Sequence, residues 1–458
     1  MRGLNSALKR SCLRKNDIFY LFTIMLLGIL IRIFFIFKVI NYPISDFYVY
    51  QNIATNIFLH KGHTYLGQPI AFQPMGYPTA LGYFYRLLGS NNIFFGKVFN
   101  IILSILTLIV LLLLLLKLVH TRLSIYLSYI MIIFIPNYIA YNNVLGSEIL
   151  ITLLFSIIIY LQVCSFNATI RYTLIGLFTG IAALTKPFFL VYPFILAVIE
   201  WLHYKNIKNS LKTISICFIF LCLVVSPWTY RNYKKFKLFI PISYNGGYVL
   251  FINNNENNTS GAWMPLSSID VSENVKFKFL KVGLKYGFPD KNEESQVMLN
   301  PHLENIFKEE SQKWILNHPY KFLNLGIIRV HNTFFNGTGD IYEWAISNNS
   351  MNTFTKLLKS NFFHAFFDNY IYVMSFCGFI YVLFNFKNII IALFKKGLTV
   401  NYEISIPFLN IVFFILIIFV FEGQPRYNFP ILFLFAICTA NYMERIFNFI
   451  NKLRKENY

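Results

Sequence analysis

Apolar residues come in long uninterrupted runs. A helix needs about 17–25 such residues to cross a bilayer. The clearest runs are Ile18–Lys38, Ile93–Leu116, Leu123–Ile139, Ile149–Val163, Ile214–Trp228, Tyr370–Phe386, Ile404–Phe421 and Tyr427–Met443. A further stretch, Tyr172–Trp201, is broken by Thr185-Lys186-Pro187 and reads either as one kinked helix or as two. Two segments break this rhythm. Asn41–Asn92 is too long for a plain connector. Its Phe47, Tyr50, Ala54, Ile57 and Phe58, and then Leu81, Tyr85 and Leu88, recur at helical spacing, which predicts amphipathic helices lying along the membrane surface. Tyr230–Asn369 is polar. It opens on a strand-like stretch, Phe239–Ile252, continues through the turn-rich Asn253–Gly261, and carries an amphipathic helix around His302–Leu316.

Composition supports a polytopic membrane chain. Hydrophobic residues make up 56% of the 458 and charged residues 13%, about half the soluble norm of ~25%. Mean hydropathy is +0.53. These figures exclude a disordered chain, a collagen and a small disulfide scaffold. The 40 Lys+Arg outnumber the 20 Asp+Glu, a formal charge of +20. In a soluble protein that excess points to nucleic acid; here basic loops facing anionic lipid account for it, and no nucleic-acid partner is expected.

Charge also sets orientation. Basic residues at both ends, Arg2 to Lys15 and Lys452 to Lys455, place both termini in the cytoplasm. Parity then splits Tyr172–Trp201 into two helices and puts Tyr230–Asn369 outside. The expected architecture is an all-α polytopic protein of about ten transmembrane helices, with surface helices in the first external loop and a small mixed α/β external domain. It divides into a membrane module (1–229, with the loop 41–92), an external segment (230–369), and C-terminal helices with a cytoplasmic tail (370–458). The cysteines Cys12, Cys164, Cys217, Cys222, Cys377 and Cys438 avoid the polar segment, so neither a disulfide framework nor a zinc site is expected. The N-terminal run is too long for a cleavable signal peptide.

Acids are scarce. The first 230 residues hold only Asp17, Asp46, Glu148 and Glu200, and on this topology only Asp46 and Glu148 face outward. A carboxylate beside hydrocarbon is a functional candidate. The plainer alternatives are a helix cap for Asp46 and a dipole contact for Glu148. Glu422 and Arg426 share a short loop between the last two helices. They are either an interfacial ion pair or a cation fixed for phosphate. Lys186 and Arg231 either snorkel to the headgroups or join the same phosphate site.

The order and spacing of these residues resemble a known family. Asp46 in Ser45-Asp-Phe-Tyr-Val-Tyr50, then Ala54, Lys61-Gly62…Tyr65 and Gln73-Pro-Met-Gly-Tyr-Pro78, resembles the first external loop of polyprenyl-phosphate-dependent glycosyltransferases of the GT-C superfamily. These are bacterial relatives of protein O-mannosyltransferases and lipid A aminoarabinose transferases. Ser147-Glu148, Leu184-Thr-Lys-Pro187, Pro227-Trp-Thr-Tyr-Arg-Asn232, Gly246-Gly247, Gly261-Ala-Trp263 and Arg426-Tyr427 follow in matching order. Gln73 and Met75 depart from the Pro-Pro-Gly run, and Glu148 stands where some relatives use Asp.

The resemblance implies transfer of a sugar from a polyprenyl-phosphate donor to a hydroxyl of a glycolipid, glycan or protein, outside a bacterial inner membrane. It implies Asp46 and Glu148 as catalytic acids, with a possible divalent metal held by the two. It further implies Lys186, Arg231 and Arg426 on the lipid phosphate, and Tyr50, Tyr77, Glu422 and Tyr427 as other substrate contacts. Two competing readings are a polysaccharide polymerase or ligase using His302, His318 or His331, and a transporter or flippase, which predicts internal repeats that the sequence lacks.

Overall fold

The computed structural model describes residues 13–284, 294–346, 352–395 and 397–456. Among these, eight helices are long and apolar enough to cross a membrane: Asn16–Lys38, Ile93–Leu118, Ala168–Thr185, Pro187–Tyr204, Ile207–Phe236, Asn361–Phe394, Tyr402–Val420 and Pro425–Leu453. A ninth span is the pair Arg122–Phe134 and Pro136–Asn143, bent by 51°. The bend falls at Ile135-Pro136, where proline lacks the amide hydrogen that would continue the helix. The shorter apolar helix Glu148–Gln162 brings the total to the ten expected from the sequence. Tyr172–Trp201 is two helices, as parity required, because Lys186 leaves helical geometry at φ −141° and Pro187 starts the next turn. The protein is a multi-pass, all-α membrane protein.

The core is a single large cluster running through the bundle. The final span, Leu432–Glu456, is its axis: Leu432 to Ala436 are fully buried. Gly378 lets the Asn361–Phe394 helix close onto Phe435.

The first loop forms two helices, Ser45–Phe58 and Gly76–Leu88, joined by a minimal antiparallel pair, Thr64–Tyr65 with Gln68–Pro69. Gly76 is where this loop meets the bundle. Its missing Cβ leaves room for the Leu184 backbone and the Thr185 hydroxyl, so the loop packs directly onto the turn that carries Lys186.

The polar segment differs from expectation. Phe239–Ile252 is not a strand. Ile240, Ile242 and Tyr244 are buried alternately, as the pattern requires, but the stretch makes one bond to the first loop, from the Tyr244 N–H to the Ala71 carbonyl (3.1 Å). Pro241 cannot donate to a ladder. From Gly246 the chain is a helix, Gly246–Asn253, packed on Leu303–Asn317 around Phe251, Phe279 and Phe307. The mixed α/β character is therefore corrected: among the described residues the only strands lie in the first loop. The expected helix around His302–Leu316 is present as Leu303–Asn317. The flanking spans run past the expected boundaries at 229 and 370, since Ile207–Phe236 and Asn361–Phe394 are continuous helices.

Arg329, fully buried in the helix Pro319–Phe334, ties this segment to the bundle. It donates to the Phe419 (2.9 Å) and Val420 (3.1 Å) carbonyls, to Asn254 Oδ1 (2.9 Å) and to the Asn253 carbonyl. The Gly423 N–H closes the junction on the Gly261 carbonyl at 3.0 Å. This fixes the loop that holds Glu422 and Arg426.

Candidate active site

Four chain segments converge at one end of the bundle: the start of Ser45–Phe58, the start of Glu148–Gln162, the Lys186 turn and the Glu422–Tyr427 loop. Asp46 sits in the first helical turn but does not cap it. The cap residue is Ile44, and no side chain caps the helix. Ser45 takes a left-handed φ of +49°, a conformation that costs a non-glycine residue free energy and collects at functional sites. The carboxylate that follows accepts from Gln73 Nε2 at 2.6 Å and from Arg426 Nη2 at 3.2 Å. Its side chain stays 41% exposed while that of Arg426 is 12% exposed. The pair thus has an open carboxylate and an enclosed cation.

Glu148 begins its helix almost fully buried. Its Oε1 lies 3.8 Å from Lys186 Nζ, and its Oε2 has no hydrogen-bond partner. A side chain on Gly146 would collide with this carboxylate and with the Phe47 ring, so the glycine is what lets the acid fold in. Burial pushes the Lys186 amine below its ordinary pKa, and the Glu148 carboxylate works against that.

Arg426 is held by a relay. Its Nη2 also donates to the Tyr427 hydroxyl (3.3 Å), which donates to Glu422 Oε2 (2.8 Å); Gln424 donates to Glu422 Oε1. Burial raises the Glu422 pKa, with the Arg426 charge opposing. The guanidinium carbon lies 5.8 Å from the Phe47 ring, 5.7 Å from Trp344 and 5.2 Å from Tyr427, and Lys186 stands 5.7 Å from the Tyr427 ring. Apolar rings around two cations keep water, and its screening, away. Arg426 Nε and Gln73 Oε1 join Glu148 Oε2 as buried polar atoms without partners. Such orphans are uncommon in native proteins, and each calls for an explanation.

The structure therefore unites Asp46, Glu148, Lys186, Glu422, Arg426 and Tyr427, and leaves two expected members aside. Arg231 is not brought to this cluster. It donates to the His63 (2.8 Å) and Ile70 (3.0 Å) carbonyls and to Asn232 Oδ1 (3.0 Å), between Trp228 and Phe236. Its bidentate geometry pins the first loop to the Ile207–Phe236 helix. Tyr77 is fully buried and donates to Asn100 Oδ1 (3.0 Å). Tyr50, buried beside it with ring centroids 6.0 Å apart, is close enough for the Asp46 and Glu148 charges to raise its pKa, after burial itself. Two histidines of the competing polymerase reading lie elsewhere: His318 stacks on Trp314, and the His331 ring lies 6.2 Å from Phe335, tilted by 34°.

Each acid faces a cation, and among the described residues no group of three or more His, Cys, Asp or Glu side chains is placed to hold a metal.

Several site residues were not foreseen. Gln73 appeared only as a departure from a proline run, yet it orients Asp46. Phe47 and Trp344 wall Arg426. Asp340 sits beneath them, fully buried, accepting from Tyr141 (2.6 Å) and from Asn137 (3.0 and 3.2 Å). Burial pushes its pKa up to about 6, with the two hydrogen bonds pulling the other way.

In fold, this membrane bundle is similar to solved membrane proteins. The oligosaccharyltransferase AglB from Archaeoglobus fulgidus, solved with an inhibitory peptide and a dolichol-phosphate, superposes with a TM-score of 0.50 at 13% identity, over 96% of this chain and 52% of its own. An Archaeoglobus fulgidus oligosaccharyltransferase tethered to an acceptor peptide gives 0.48 at 12%, over 95% and 50%. ArnT from Cupriavidus metallidurans bound to undecaprenyl phosphate gives 0.47 at 9%, over 92% and 77%. This chain spans about half the length of the oligosaccharyltransferases it matches. No family model and no curated protein matches the sequence.

Proposed function

We propose that this protein is an integral-membrane glycosyltransferase. It moves a sugar from a polyprenyl-phosphate donor to a hydroxyl of a surface glycolipid, glycan or protein, on the outer face of a bacterial cytoplasmic membrane, with both termini inside. The observation that carries this reading is the contact between exposed Asp46 and enclosed Arg426, with Lys186 beside them and partnerless polar atoms around them.

In the reaction the acceptor oxygen attacks the anomeric carbon. The bond from that carbon to the phosphate oxygen breaks, and the polyprenyl phosphate leaves with the electron pair. The acceptor proton goes to an Asp46 oxygen. Gln73 holds the carboxylate in position. Arg426 and Lys186 face the charge that develops on the departing phosphate, the electrostatic term that usually contributes most. The phosphate competes with Asp46 for Arg426, so donor binding frees the carboxylate to act as base. Glu422 and Tyr427 keep Arg426 pointed at the site, and Glu148 does the same for Lys186.

The biological test is deletion of the gene, followed by mass spectrometry of surface glycolipids and glycans. The expected result is loss of one sugar residue from one class, whose mass names the sugar. Unchanged glycolipids, glycans and glycoproteins would contradict the reading.

A further inference from the structure

The segment Thr338–Ile346 is far from the charged residues in sequence but is built into their site. Asn41 donates to the Trp344 carbonyl (2.8 Å), Asn143 to the Ala345 carbonyl (3.0 Å), and Thr338 to Asp368 (2.8 Å). The buried Asp340 takes the Asn137 and Tyr141 donors. Amide side chains beside two membrane helices, Asn41 and then Asn137 with Asn143, and the Asp368 carboxylate of a third thus fix one short segment whose tip carries Glu343 and Trp344. The Trp344 ring lies 5.6 Å from Phe47, the residue after Asp46, and 5.7 Å from the Arg426 guanidinium carbon. Glu343 is exposed and within range of the Arg426 charge.

We propose that Glu343 and Trp344 recognise the sugar ring of the donor, with Asp340 as the positioning residue that sets them. The proposal rests on the phosphate reading of Arg426. A sugar joined to a phosphate at Arg426 has its anomeric carbon one bridging oxygen from phosphorus, which brings the ring within reach of the indole. An indole packs against the C–H face of a pyranose or furanose, while a carboxylate accepts from its hydroxyls. An apolar plate beside an acceptor is how a pocket both holds and orients a ligand. This pair therefore separates one donor sugar from another, whereas Lys186 and Arg426 see only the phosphate common to all.

The test uses the full-length protein in nanodiscs. Dissociation constants are measured for bare undecaprenyl phosphate and for a panel of undecaprenyl-phosphate hexoses and pentoses. The wild-type protein should hold at least one sugar-bearing lipid about tenfold tighter than the bare lipid. Glu343→Ala and Trp344→Ala should each bring that ratio within about twofold of one. Asp340→Ala should do the same and Asp340→Asn should keep the ratio, because the amide retains hydrogen bonding to Asn137 and Tyr141. Preservation of the wild-type ratio in both Glu343→Ala and Trp344→Ala would overturn the proposal, as would equal weakening of both lipids. Failure of the wild-type protein to bind even bare undecaprenyl phosphate would overturn the phosphate reading itself, a result distinct from any loss of sugar discrimination.

Discussion

Arg231 and Arg426 occupy two regions at the same end of the bundle, and from sequence they carry the same expectation. Their surroundings separate them. Arg231 commits its guanidinium to two backbone carbonyls and a neighbouring amide, between two rings. Its hydrogen bonds are all to neutral acceptors, and it binds the protein to itself. Arg426 faces the carboxylates of Asp46 and, through Tyr427, Glu422, and keeps a buried Nε without a partner. The two arginines thus differ in their acceptors, neutral carbonyl and amide oxygens for Arg231 and carboxylate for Arg426. Arg329 resembles Arg231 in this, being tied to three carbonyls and one amide oxygen.

The comparison can be broken by mutation. Arg426→Ala should lower transfer by about 10²–10³-fold, with a raised requirement for lipid donor in steady-state kinetics. Unchanged donor dependence would remove its phosphate role. Lys186→Met should follow with a smaller loss, about 10–100-fold, since its charge is already shared with Glu148. Arg231→Ala should act on folding: three acceptors lose their donor, at about 1–3 kcal/mol for each buried carbonyl left without one. A lower apparent Tm with near-normal donor dependence in the surviving protein is the expected pattern. A donor defect equal to that of Arg426→Ala would erase the distinction between the two regions.

The smallest effect concerns pH. The folded pKa of Asp340, about 6, lies above its ordinary 3.8. The folded state therefore binds this proton more tightly than the unfolded chain. The stabilisation is fully present below about pH 4 and is lost as pH rises through about 6. Asp340→Asn should flatten the fall in apparent Tm between pH 4 and pH 7 relative to wild type, as read by thermal unfolding in detergent.

Much of the fold was legible because lipid as solvent leaves the chain few choices. Apolar runs of bilayer length must be helices, and basic loops set parity tightly enough to divide Tyr172–Trp201 at Lys186-Pro187. The first-loop helices were legible from periodicity. Phe239–Ile252 was misread because alternating burial occurs without a paired strand: the stretch lies against the first loop with its proline and glycines preventing a ladder. At the site, scarcity of acids pointed to Asp46 and Glu148, since each charge near hydrocarbon must be justified. Arg231 could not be told from Arg426, because which acceptors surround a guanidinium depends on contacts between residues 161 to 380 positions apart. Asp340, Trp344 and Gln73 carried no local signal for the same reason. An aspartate in a polar segment reads as solvated until the fold buries it.

The central claim is that Asp46 takes the acceptor proton while Arg426 receives the phosphate. The most direct measurement is release of undecaprenyl phosphate from undecaprenyl-phosphate sugars by purified protein in nanodiscs, with total cell-envelope acceptors supplied, for wild type and Asp46→Asn at matched protein. The account predicts acceptor-dependent release by wild type and a loss of about 10²–10⁴-fold in the variant. Release by Asp46→Asn at the wild-type rate would contradict it.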